Sequence, residues 1–510
     1  MCKAKLYFIL ALCLFSFSIL LAQTNWYVDG TVGSTGNGSQ GSPFKTIAEA
    51  VTALSDGDIV NVAAATYEET VDFDNHYFIL TGTSGAASTL IDGNSIKEGI
   101  IIPDDDPDIT GESTITGFTI RDCEAGYDNN GGGIYIENRN VTISNCIITG
   151  NSVSNDGGGI YFRGNDEFEL TIQNCTITDN DCDGNGGGVC FYGNVSESLT
   201  MENCIISDNE CVYLGAGIYA SGISGNLLTL SLTDLTIHNN DSTNNSEFSM
   251  GGGIYAAYLD YSTLTFEHLL VYENTSYDHG SGICISNSNG TQNDPLTLNK
   301  LTIVDNECDV DNPGIYFDAC SNTLVTNSII WNDATNNQVS QNNVTYCCIY
   351  NDHAGTGNFD DDPEFVDASG DDYSLEYYSP CIDKGDPGSD DDDDGSLPDR
   401  GWKYHEQDVY IWDHEITYIW RSYPRLPFSQ PVALNTGQSI GVEEALECWN
   451  PNPDGLFVWF EDEDDEFEIG EYDNGNWSWT YERDIYSVYG YKMEKDNGTG
   501  CLMFSRGLLC

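Results

Sequence analysis

Basic residues are scarce in this 510-residue sequence, which has 17 Lys and Arg against 82 Asp and Glu and a formal net charge of −65. Such a polyanion is repelled by DNA, RNA and anionic lipid headgroups, so the charge excludes nucleic acid as a partner. Cations, neutral glycans and other proteins remain as partners. A saline habitat is an equally good explanation of the acidity.

Long apolar segments are missing beyond residue 21, so we expect no transmembrane span in the mature chain. The apolar run Leu6–Leu21 follows Lys3 and Lys5 and is closed by Ala22. A basic start, a short apolar run and a small final residue are typical of a signal peptide, and the run is short for a membrane span. We therefore predict a signal peptide over 1–22 and a secreted protein, located outside the cell or on the outer surface of a bacterial envelope.

The cysteines do not by themselves predict a disulfide framework. Of 18 in the chain, Cys2 and Cys13 lie in the predicted signal peptide. The remainder is an even number, which in an exported protein normally indicates disulfides. Several of these residues have another explanation, because they recur at one place in a repeat.

The central part of the chain repeats one pattern in seven copies, and the glycine runs that open the copies lie 26, 29, 29, 36, 29 and 32 residues apart. The first six runs begin at Gly131, Gly157, Gly186, Gly215, Gly251 and Gly280, and the seventh is degraded to Pro313-Gly314, in which Gly314 corresponds to Gly282. An Asn-Cys pair recurs in step, ending at Cys146, Cys175 and Cys204. A later asparagine recurs as Asn151, Asn180, Asn209, Asn240, Asn274, Asn306 and Asn332. A fixed period of about 20–50 residues is typical of a solenoid or array.

Each copy contains short segments that alternate apolar with polar residues and favour β-branched types, such as Leu170–Cys175 and Thr176–Asn180. This pattern indicates β-strands, and the Gly and Asn between them tolerate the positive φ of tight corners. A period near 29 with about three short strands predicts one rung of a parallel β-helix. A propeller blade needs about 40 residues and fits less well.

Equivalent residues of successive rungs stack about 4.8 Å apart in such a fold. We expect three ladders: inward isoleucines, buried free thiols that behave as small hydrophobes, and asparagines whose amides bond to one another at a corner. The members are Ile134, Ile160, Ile218 and Ile254 in the first, Cys146, Cys175 and Cys204 in the second, and the seven repeated asparagines in the third. Cys182 and Cys211 are predicted to be neighbours, and a disulfide between them stays open.

Four segments near the N-terminus carry a resemblance to a known fold family: Trp26–Asp29, Pro43–Ile47, Gly57–Val62 and Thr66-Tyr67. They are similar to the entry of a pectin-lyase-like right-handed parallel β-helix. The resemblance implies a capping helix over Thr46–Leu54 and a first rung at Gly57–Val62. The chain departs from the family just before Thr66, where three alanines replace the usual Pro-Gly.

The glycine and Asn-Cys markers are similar to the repeats of bacterial polymorphic outer-membrane proteins and their secreted relatives. Asn327–Asn332, Asp362–Asp367, Gly370–Leu375 and Ser379–Gly385 resemble the closing rungs of bacterial surface β-helices that precede interchangeable anchor domains. The predicted fold class is therefore all-β, a right-handed parallel β-helix (a solenoid) with an N-terminal capping helix and a small C-terminal β domain. The predicted domains are a signal peptide (1–22), the N-terminal entry and cap (23–57), the β-helix (58–387), an acidic linker (388–408) and a C-terminal β domain (409–510).

An acidic run marks the linker. Asp390, Asp392, Asp394 and Gly395 match the opening of a calcium loop, in which alternate carboxylates converge and the glycine allows a sharp turn. Position twelve is Gly401 instead of the bidentate Glu, so an EF-hand is not supported. We predict calcium at Asp390, Asp392, Asp394 and Asp399, with a solvated acidic hinge as the alternative.

The C-terminal segment is rich in aromatic residues, with seven of the nine Trp at or beyond Trp402. Ile411–Trp420, Leu456–Phe460 and Asn476–Tyr481 are predicted strands, and Asp473–Gly475 a hairpin turn. The module is an attachment or binding candidate, although aromatics are more typical of core packing than of sugar stacking.

Few residues qualify for catalysis. A pectate lyase of this fold needs a calcium-binding carboxylate cluster and a basic residue that abstracts the sugar proton. The Lys and Arg between Asp58 and Asp386 are Lys97, Arg121, Arg139, Arg163, Lys300 and Lys384. Arg139 and Arg163 lie in neighbouring rungs and are expected to be exposed close together, which makes them the catalytic candidates. Two solvated arginines are the alternative, Asp104–Asp108 is expected to form a protruding loop, and Asp278–Gly280 lacks the basic pair of a galacturonan hydrolase.

The regular features of the chain are structural, and catalytic positions are missing or unsupported. We therefore expect a secreted or cell-surface binding and adhesion module for glycans or surfaces, without chemistry of its own. The alternative is a carbohydrate-active enzyme, a pectate-lyase-like polysaccharide lyase that uses calcium, and a spacer without a ligand is a third. Calcium is the one cofactor expected, a polysaccharide or surface glycan the expected partner, and the oligomeric state stays open.

Overall fold

The computed structural model describes residues 23–405, except 75, 104–108, 110, 126–129, 224–227, 243–247, 260–263, 292–294, 309, 311–312, 333–337, 341–342, 352 and 393–395. Beyond residue 405 it describes the backbone of strands within 410–502. The predicted signal peptide (1–22), the Asp104–Asp108 loop and the calcium candidate Asp394 lie outside the described residues.

The described chain coils into stacked parallel strands, and each full rung contributes one strand to each of four sheets. We number the sheets in the order in which a rung passes through them. Sheet 1 contains Val71–Asp72, Ile100–Ile102, Ile134–Glu137, Ile160–Gly164, Val189–Gly193, Ile218–Ser221, Ile254–Ala257, Ile283–Ser286 and Ile315–Asp318. Sheet 2 contains Asn25–Val28, Ile59–Val62, Ile79–Gly82, Glu112–Thr116, Asn140–Ser144, Glu169–Gln173, Ser198–Glu202, Thr229–Thr233, Leu264–Glu267, Leu296–Asn299, Thr323–Thr326 and Val344–Thr345.

The other two sheets are made of shorter strands. Sheet 3 contains Ala65–Tyr67, Thr89–Asp92, Thr119–Arg121, Ile147–Thr149, Thr176–Thr178, Ile205–Ser207, Thr236–His238, Leu270–Tyr272, Thr302–Val304, Ile329–Trp331 and Cys348–Ile349. Sheet 4 contains Glu124–Ala125, Ser152–Val153, Asp181–Cys182, Glu210–Cys211, Asp241–Ser242, Thr275–Ser276 and Glu307–Cys308. The predicted right-handed parallel β-helix is confirmed, with a fourth, very short strand in each full rung where the sequence predicts about three.

The repeat positions lie in register, as the sequence predicts. Ile134 pairs with Ile160, and both side chains are fully buried. The cysteines of the Asn-Cys marker form the expected interior ladder, in which Cys175 N–H lies 3.5 Å from Cys204 Sγ. Alternation of inward apolar and outward polar residues along each short strand therefore builds one continuous core.

The predicted asparagine ladder is confirmed. Asn151 Nδ2 donates to Asn180 Oδ1 at 2.9 Å, and Asn180 Nδ2 donates to Asn209 Oδ1 at 2.9 Å. The same bond joins each later asparagine to the next as far as Asn332. The ladder ends at Gln338, whose Oε1 accepts from Asn332 Nδ2 at 2.8 Å. Each buried amide acts as donor and acceptor at once, so the polar corner is satisfied without water.

The glycine runs form the corner between sheet 4 and sheet 1. Gly157 has φ of 75°, and a Cβ there would lie 2.7 Å from Ile160 O and 2.8 Å from Tyr161 Cβ. A Cβ at Gly159 would lie 2.6 Å from Gly188 O of the next rung. The runs are therefore glycine because the backbones of successive rungs approach closely at this corner.

Cys182 and Cys211 are neighbours in sheet 4, where they pair in register, and both are buried free thiols. They pack in a small apolar cluster with Val153 and Ala216. The predicted proximity is confirmed, and no disulfide joins the two described thiols.

The predicted capping helix is present as Ile47–Ala53, and its buried face closes the N-terminal end of the core. Thr46 is the N-cap and accepts from Glu49 N, while the Glu49 side chain accepts from Thr46 N. This reciprocal capping box satisfies two backbone donors that a short helix leaves open.

A long segment after the last rung turns back along the outside of sheet 3. This return segment, residues 359–405, includes the antiparallel pair Phe365–Asp367 and Asp372–Leu375 and the 3-10 turn Ala368–Gly370. Arg400 fixes its end, because the guanidinium donates to Cys347 O at 2.9 Å and lies 4.1 Å from the Phe359 ring centroid. The described part of the predicted acidic linker is thus largely packed on the solenoid, unlike the solvated hinge considered as an alternative.

The C-terminal strands form small antiparallel sheets. Tyr410–His414 pairs with Ile416–Trp420, so the single strand predicted over Ile411–Trp420 is wrong and two strands take its place. A second sheet has the strand order Val432–Asn435, Thr499–Leu502, Tyr491–Lys495, Leu456–Asp462, Asp465–Asp473 and Asn476–Ser478. Asp473 pairs with Asn476, as a hairpin there requires, although residues 474–475 lie outside the described residues. Within the described part of the chain, no helix has the length and apolarity that crossing a membrane requires.

Candidate functional site

The outer face of sheet 3 changes character along the solenoid. In the middle rungs one outward column consists of small polar residues such as Thr178 and Ser207, which pair in register. The same column continues as His238, Tyr272 and then Val304 and Trp331. The last rungs therefore present a large apolar surface outside the core, and such a surface requires a cover.

The return segment supplies this cover. Tyr373 is 2% exposed and packs on Leu270, Tyr272 and Val304. Its ring centroid lies 5.1 Å from that of Tyr272 and 5.4 Å from that of Phe365, which meets it edge-on. The aromatic column of the solenoid thus fixes the position of the strand pair above it.

The cover is incomplete, and a cavity of about 550 Å³ remains between the return segment and the last rungs. Its walls combine apolar and acidic side chains from both parts. They are Val304, Asp305, Trp331, Tyr350, Asp362, Glu364, Phe365, Ala368, Tyr373 and Glu376. We call this cavity the aromatic–acidic pocket.

Two aromatic rings form one side of the aromatic–acidic pocket. Trp331 and Tyr350 lie in successive rungs, with ring centroids 5.1 Å apart and planes at 76°. Both side chains are only partly buried, so their remaining surface faces the cavity or solvent. Half-exposed aromatic rings of this kind offer an apolar face beside polar groups.

The carboxylates of the pocket are exposed at its rim. Asp305 lies at a corner with φ of 52°, where it precedes the ladder residue Asn306. Its Oδ2 accepts a hydrogen bond from the Tyr373 hydroxyl at 3.0 Å. Burial, followed by the charge of Asp305, raises the pKa of Tyr373, so this phenol remains a donor. The bond orients one carboxylate oxygen toward the protein and leaves Oδ1 for another partner.

The charge around the pocket is one-sided. Besides Asp305, the lining contains Asp362, Glu364 and Glu376, and no Lys or Arg is among these described lining residues. Next to the pocket, burial and the charges of Asp371 and Asp305 raise the pKa of Glu273. An anionic ligand would meet this charge directly, whereas a neutral ligand rich in hydroxyl groups would find several acceptors.

His238 extends the same outward column by one rung. Its ring stacks on Tyr272 with centroids 4.7 Å apart, and Nδ1 is buried without a hydrogen bond. Burial lowers the pKa of His238, against the opposing charges of Asp208 and Asp371. A neutral imidazole packed on a phenol ring fits a structural role under the cover.

The exposure expected of the catalytic candidates is wrong for one of them. Arg163 is exposed on its strand, where it pairs with Glu137 of the previous rung. Arg139 is 1% exposed and its Nη1 donates to Asn138 O at 3.2 Å. Arg139 immediately precedes the sheet 2 strand Asn140–Ser144, and the residue in that place in the next rung, Phe168, packs against the core. The corner turns this position inward, so the two arginines do not form one exposed pair, and neither lines the pocket.

The calcium candidates are only partly brought together. Asp392 Oδ1 pairs with Lys300 Nζ at 2.8 Å, and its Oδ2 accepts from Asp399 N at 2.8 Å. Asp399 accepts from Asp383 N and His405 N, each at 2.7 Å, and its burial raises its pKa to about 8. Asp390 is exposed, and Asp394 lies outside the described residues. The described residues contain no group of three His, Cys, Asp or Glu side chains arranged for a metal ion, and calcium at these four positions stays a prediction.

Two segments that build the pocket, Asn327–Asn332 and Asp362–Asp367, stand out in the sequence only as closing motifs, and nothing in their pattern indicates a cavity. The available signal is the break in the outward column of sheet 3, where Thr and Ser give way to His238, Tyr272 and Trp331. Which later segment covers that column follows from tertiary packing.

Comparisons with known proteins give one family match and several similar structures. Residues 79–294 match a family described as a right handed beta helix region. Among solved structures, the chain is similar to pectate lyase Pel9A, with 14% identity, a TM-score of 0.47 and coverage of 75% of this chain and 97% of that chain. It is also similar to a rhamnogalacturonan lyase, with 13% identity, a TM-score of 0.36 and coverage of 75% and 96%.

A third similar structure is the complex of XylC with xylose, with 10% identity, a TM-score of 0.34 and coverage of 67% of this chain and 87% of that chain. No curated protein matches the sequence. The assignment as a right-handed parallel β-helix rests on the stacked parallel sheets and the family match.

Proposed function

We propose that this protein is an extracellular β-helix that binds a neutral glycan in the aromatic–acidic pocket, without chemistry of its own. The observation that carries the proposal is the placement of Trp331 and Tyr350 beside the rim carboxylates of one cavity. A sugar ring has an apolar face of C–H groups and an edge of hydroxyl groups. The aromatic rings suit the face, and the carboxylates accept hydrogen bonds from the edge.

The charge of the lining supports a neutral ligand over a uronate. The pocket residues bring four carboxylates and, within the described lining, no cation to offset them. The chain as a whole carries a formal charge of −65. A polygalacturonate chain would be repelled both at long range and at the rim unless a divalent cation bridged the two.

The alternative enzyme, a pectate-lyase-like lyase that uses calcium, is testable in the same preparation. The full-length protein is applied to an array of neutral and uronate glycans, and separately incubated with polygalacturonate and calcium while ultraviolet absorbance of an unsaturated product is followed. The proposal expects binding to neutral glycans and no rise in absorbance. A rise in absorbance that Arg163→Ala abolishes establishes the lyase. An array without any bound glycan contradicts the proposal and favours a spacer without a ligand.

A further inference from the structure

Two cysteines from distant parts of the chain meet on the outer face of sheet 3. Cys348 begins the last strand of that sheet, and Cys381 belongs to the return segment. Both are 0% exposed and lie in one apolar cluster with Ile329, Leu375 and Ile382. The contact joins the solenoid to its cover.

The neighbouring Cys347 belongs to a different environment. Its Sγ lies 3.2 Å from Thr345 O and 3.8 Å from Val325 O, and it packs in the interior core. Successive residues of a strand point to opposite faces of a sheet. Cys347 therefore faces the inside of the solenoid, whereas Cys348 faces the return segment.

The two outer thiols touch. The side chains of Cys348 and Cys381 are hydrogen-bonded to each other, and Cys348 Sγ also donates to Asp361 O at 3.2 Å. The bond with Cys381 and burial both raise the pKa of Cys348, so the docked thiol is a poor nucleophile. We therefore expect the pair to be oxidised while the return segment docks, before the two thiols are buried.

We propose that Cys348 and Cys381 form a disulfide that fastens the return segment to the last rungs. The bond forms by thiol–disulfide exchange with a small disulfide such as oxidised glutathione: the two thiols release two protons and two electrons, and the oxidant is reduced to two thiols. The closed loop contains most of the pocket wall, namely Tyr350, Asp362, Glu364, Phe365, Ala368, Tyr373 and Glu376. The inference concerns this fastening and holds whatever the pocket binds.

The experiment is a disulfide map of the full-length protein folded in a glutathione redox buffer, with free thiols alkylated before digestion. Because no Lys or Arg lies between Cys348 and Cys381, the chain is cut at acidic residues, several of which separate the two cysteines. A peptide pair containing residues 348 and 381 that separates on reduction is expected. The same pair is expected in Cys347→Ala, and it is lost in Cys348→Ala and in Cys381→Ala.

Limited proteolysis provides a second readout that does not depend on any variant. Cleavage within residues 359–381 is expected to be about tenfold faster or more after reduction, since closing a loop opposes local opening. Alkylation of both Cys348 and Cys381 in the oxidised wild-type protein overturns the proposal. So does a disulfide that links Cys348 or Cys381 to a different cysteine, or a linkage that persists in Cys348→Ala because Cys347 carries it.

Discussion

Replacing one asparagine in the middle of the buried ladder is predicted to destabilise the protein strongly. Asn209 Oδ1 accepts from Asn180 N at 3.1 Å and Asn180 Nδ2 at 2.9 Å, and its own Nδ2 donates to Ile177 O at 3.0 Å. In Asn209→Ala the amide of Asn180 keeps bonds to Ile148 O and Thr178 O. The backbone N–H of Asn180 has no acceptor left, because it donates to Asn209 Oδ1 in the wild-type protein. Ile177 O loses the hydrogen bond from Asn209 Nδ2.

The magnitude follows from these two groups. A buried backbone group that loses its partner costs about 1–3 kcal/mol, so Asn209→Ala is expected to lower the free energy of unfolding by about 3 kcal/mol. Asn209→Asp is expected to do at least as much damage, because a carboxylate cannot donate to Asn240 Oδ1, which the native amide reaches at 2.9 Å. The measurement is urea unfolding of the full-length protein followed by circular dichroism.

The matched control is Asn155→Ala, because Asn155 is exposed in a bend of the solenoid two rungs before Asn209. This change is expected to shift the free energy of unfolding by about 0.5 kcal/mol or less. A loss in Asn209→Ala as small as in the control would refute the view that the ladder satisfies buried backbone groups.

Three further predictions concern other parts of the molecule. Arg139→Ala is expected to lower the free energy of unfolding by about 2 kcal/mol or more, because the side chain is 1% exposed, while exposed Arg163→Ala stays within about 0.5 kcal/mol in the same urea experiment. Equal losses of unfolding free energy in the two variants would contradict the buried position of Arg139. Because burial lowers the pKa of His238, the unfolded chain takes up this proton first, and the stability that neutral His238 contributes is lost as the pH falls below 6.5, the ordinary pKa of histidine. The free energy of unfolding of the wild-type protein should therefore fall relative to that of His238→Gln over this range, and a difference that does not change with pH removes His238 as a source of pH dependence. If Asp390, Asp392, Asp394 and Asp399 bind calcium, chelator should lower the melting temperature of the wild-type protein and leave that of Asp390→Asn almost unchanged; a wild-type melting temperature that ignores chelator excludes a structural site there.

The solenoid was predictable because each rung repeats the same local physics. Glycine at the corner next to Ile160, a cysteine such as Cys175 facing the core and an asparagine such as Asn180 at the bend are each required by contacts with the next rung. Because every rung must make the same contacts with its neighbours, the same residue types recur in the sequence at a regular spacing. The ladder partners could therefore be named from spacing alone.

The inward position of Arg139 was not predictable by the same counting. It occupies a corner place that the next rung fills with Phe168, and the sequence gives no repeated marker at that place. Counting from the inward Ile134 assumes that side chains continue to alternate between inside and outside. Arg139 lies in the bend between two strands, where this alternation no longer applies. The error is local, and it arises at the point where a strand pattern stops applying.

The pocket was out of reach for a different reason. The residues that form it come from the last rungs and from a segment of the chain that returns over them, so their proximity depends on docking and leaves no period in the sequence. Trp331 and Tyr373 meet the same cavity, although they come from different parts of the fold. The pocket is therefore formed by residues that do not follow the repeat.

The measurement that tests the central proposal most directly is a calorimetric titration of the full-length protein with a neutral oligosaccharide that the array identifies. Trp331→Ala is expected to weaken binding about thirtyfold, as expected for a central aromatic contact worth about 2 kcal/mol. Tyr213→Ala is the control, because Tyr213 is exposed and is not among the pocket residues. Wild-type affinity in Tyr213→Ala together with a thirtyfold loss in Trp331→Ala supports glycan binding in the aromatic–acidic pocket; unchanged affinity in Trp331→Ala contradicts it.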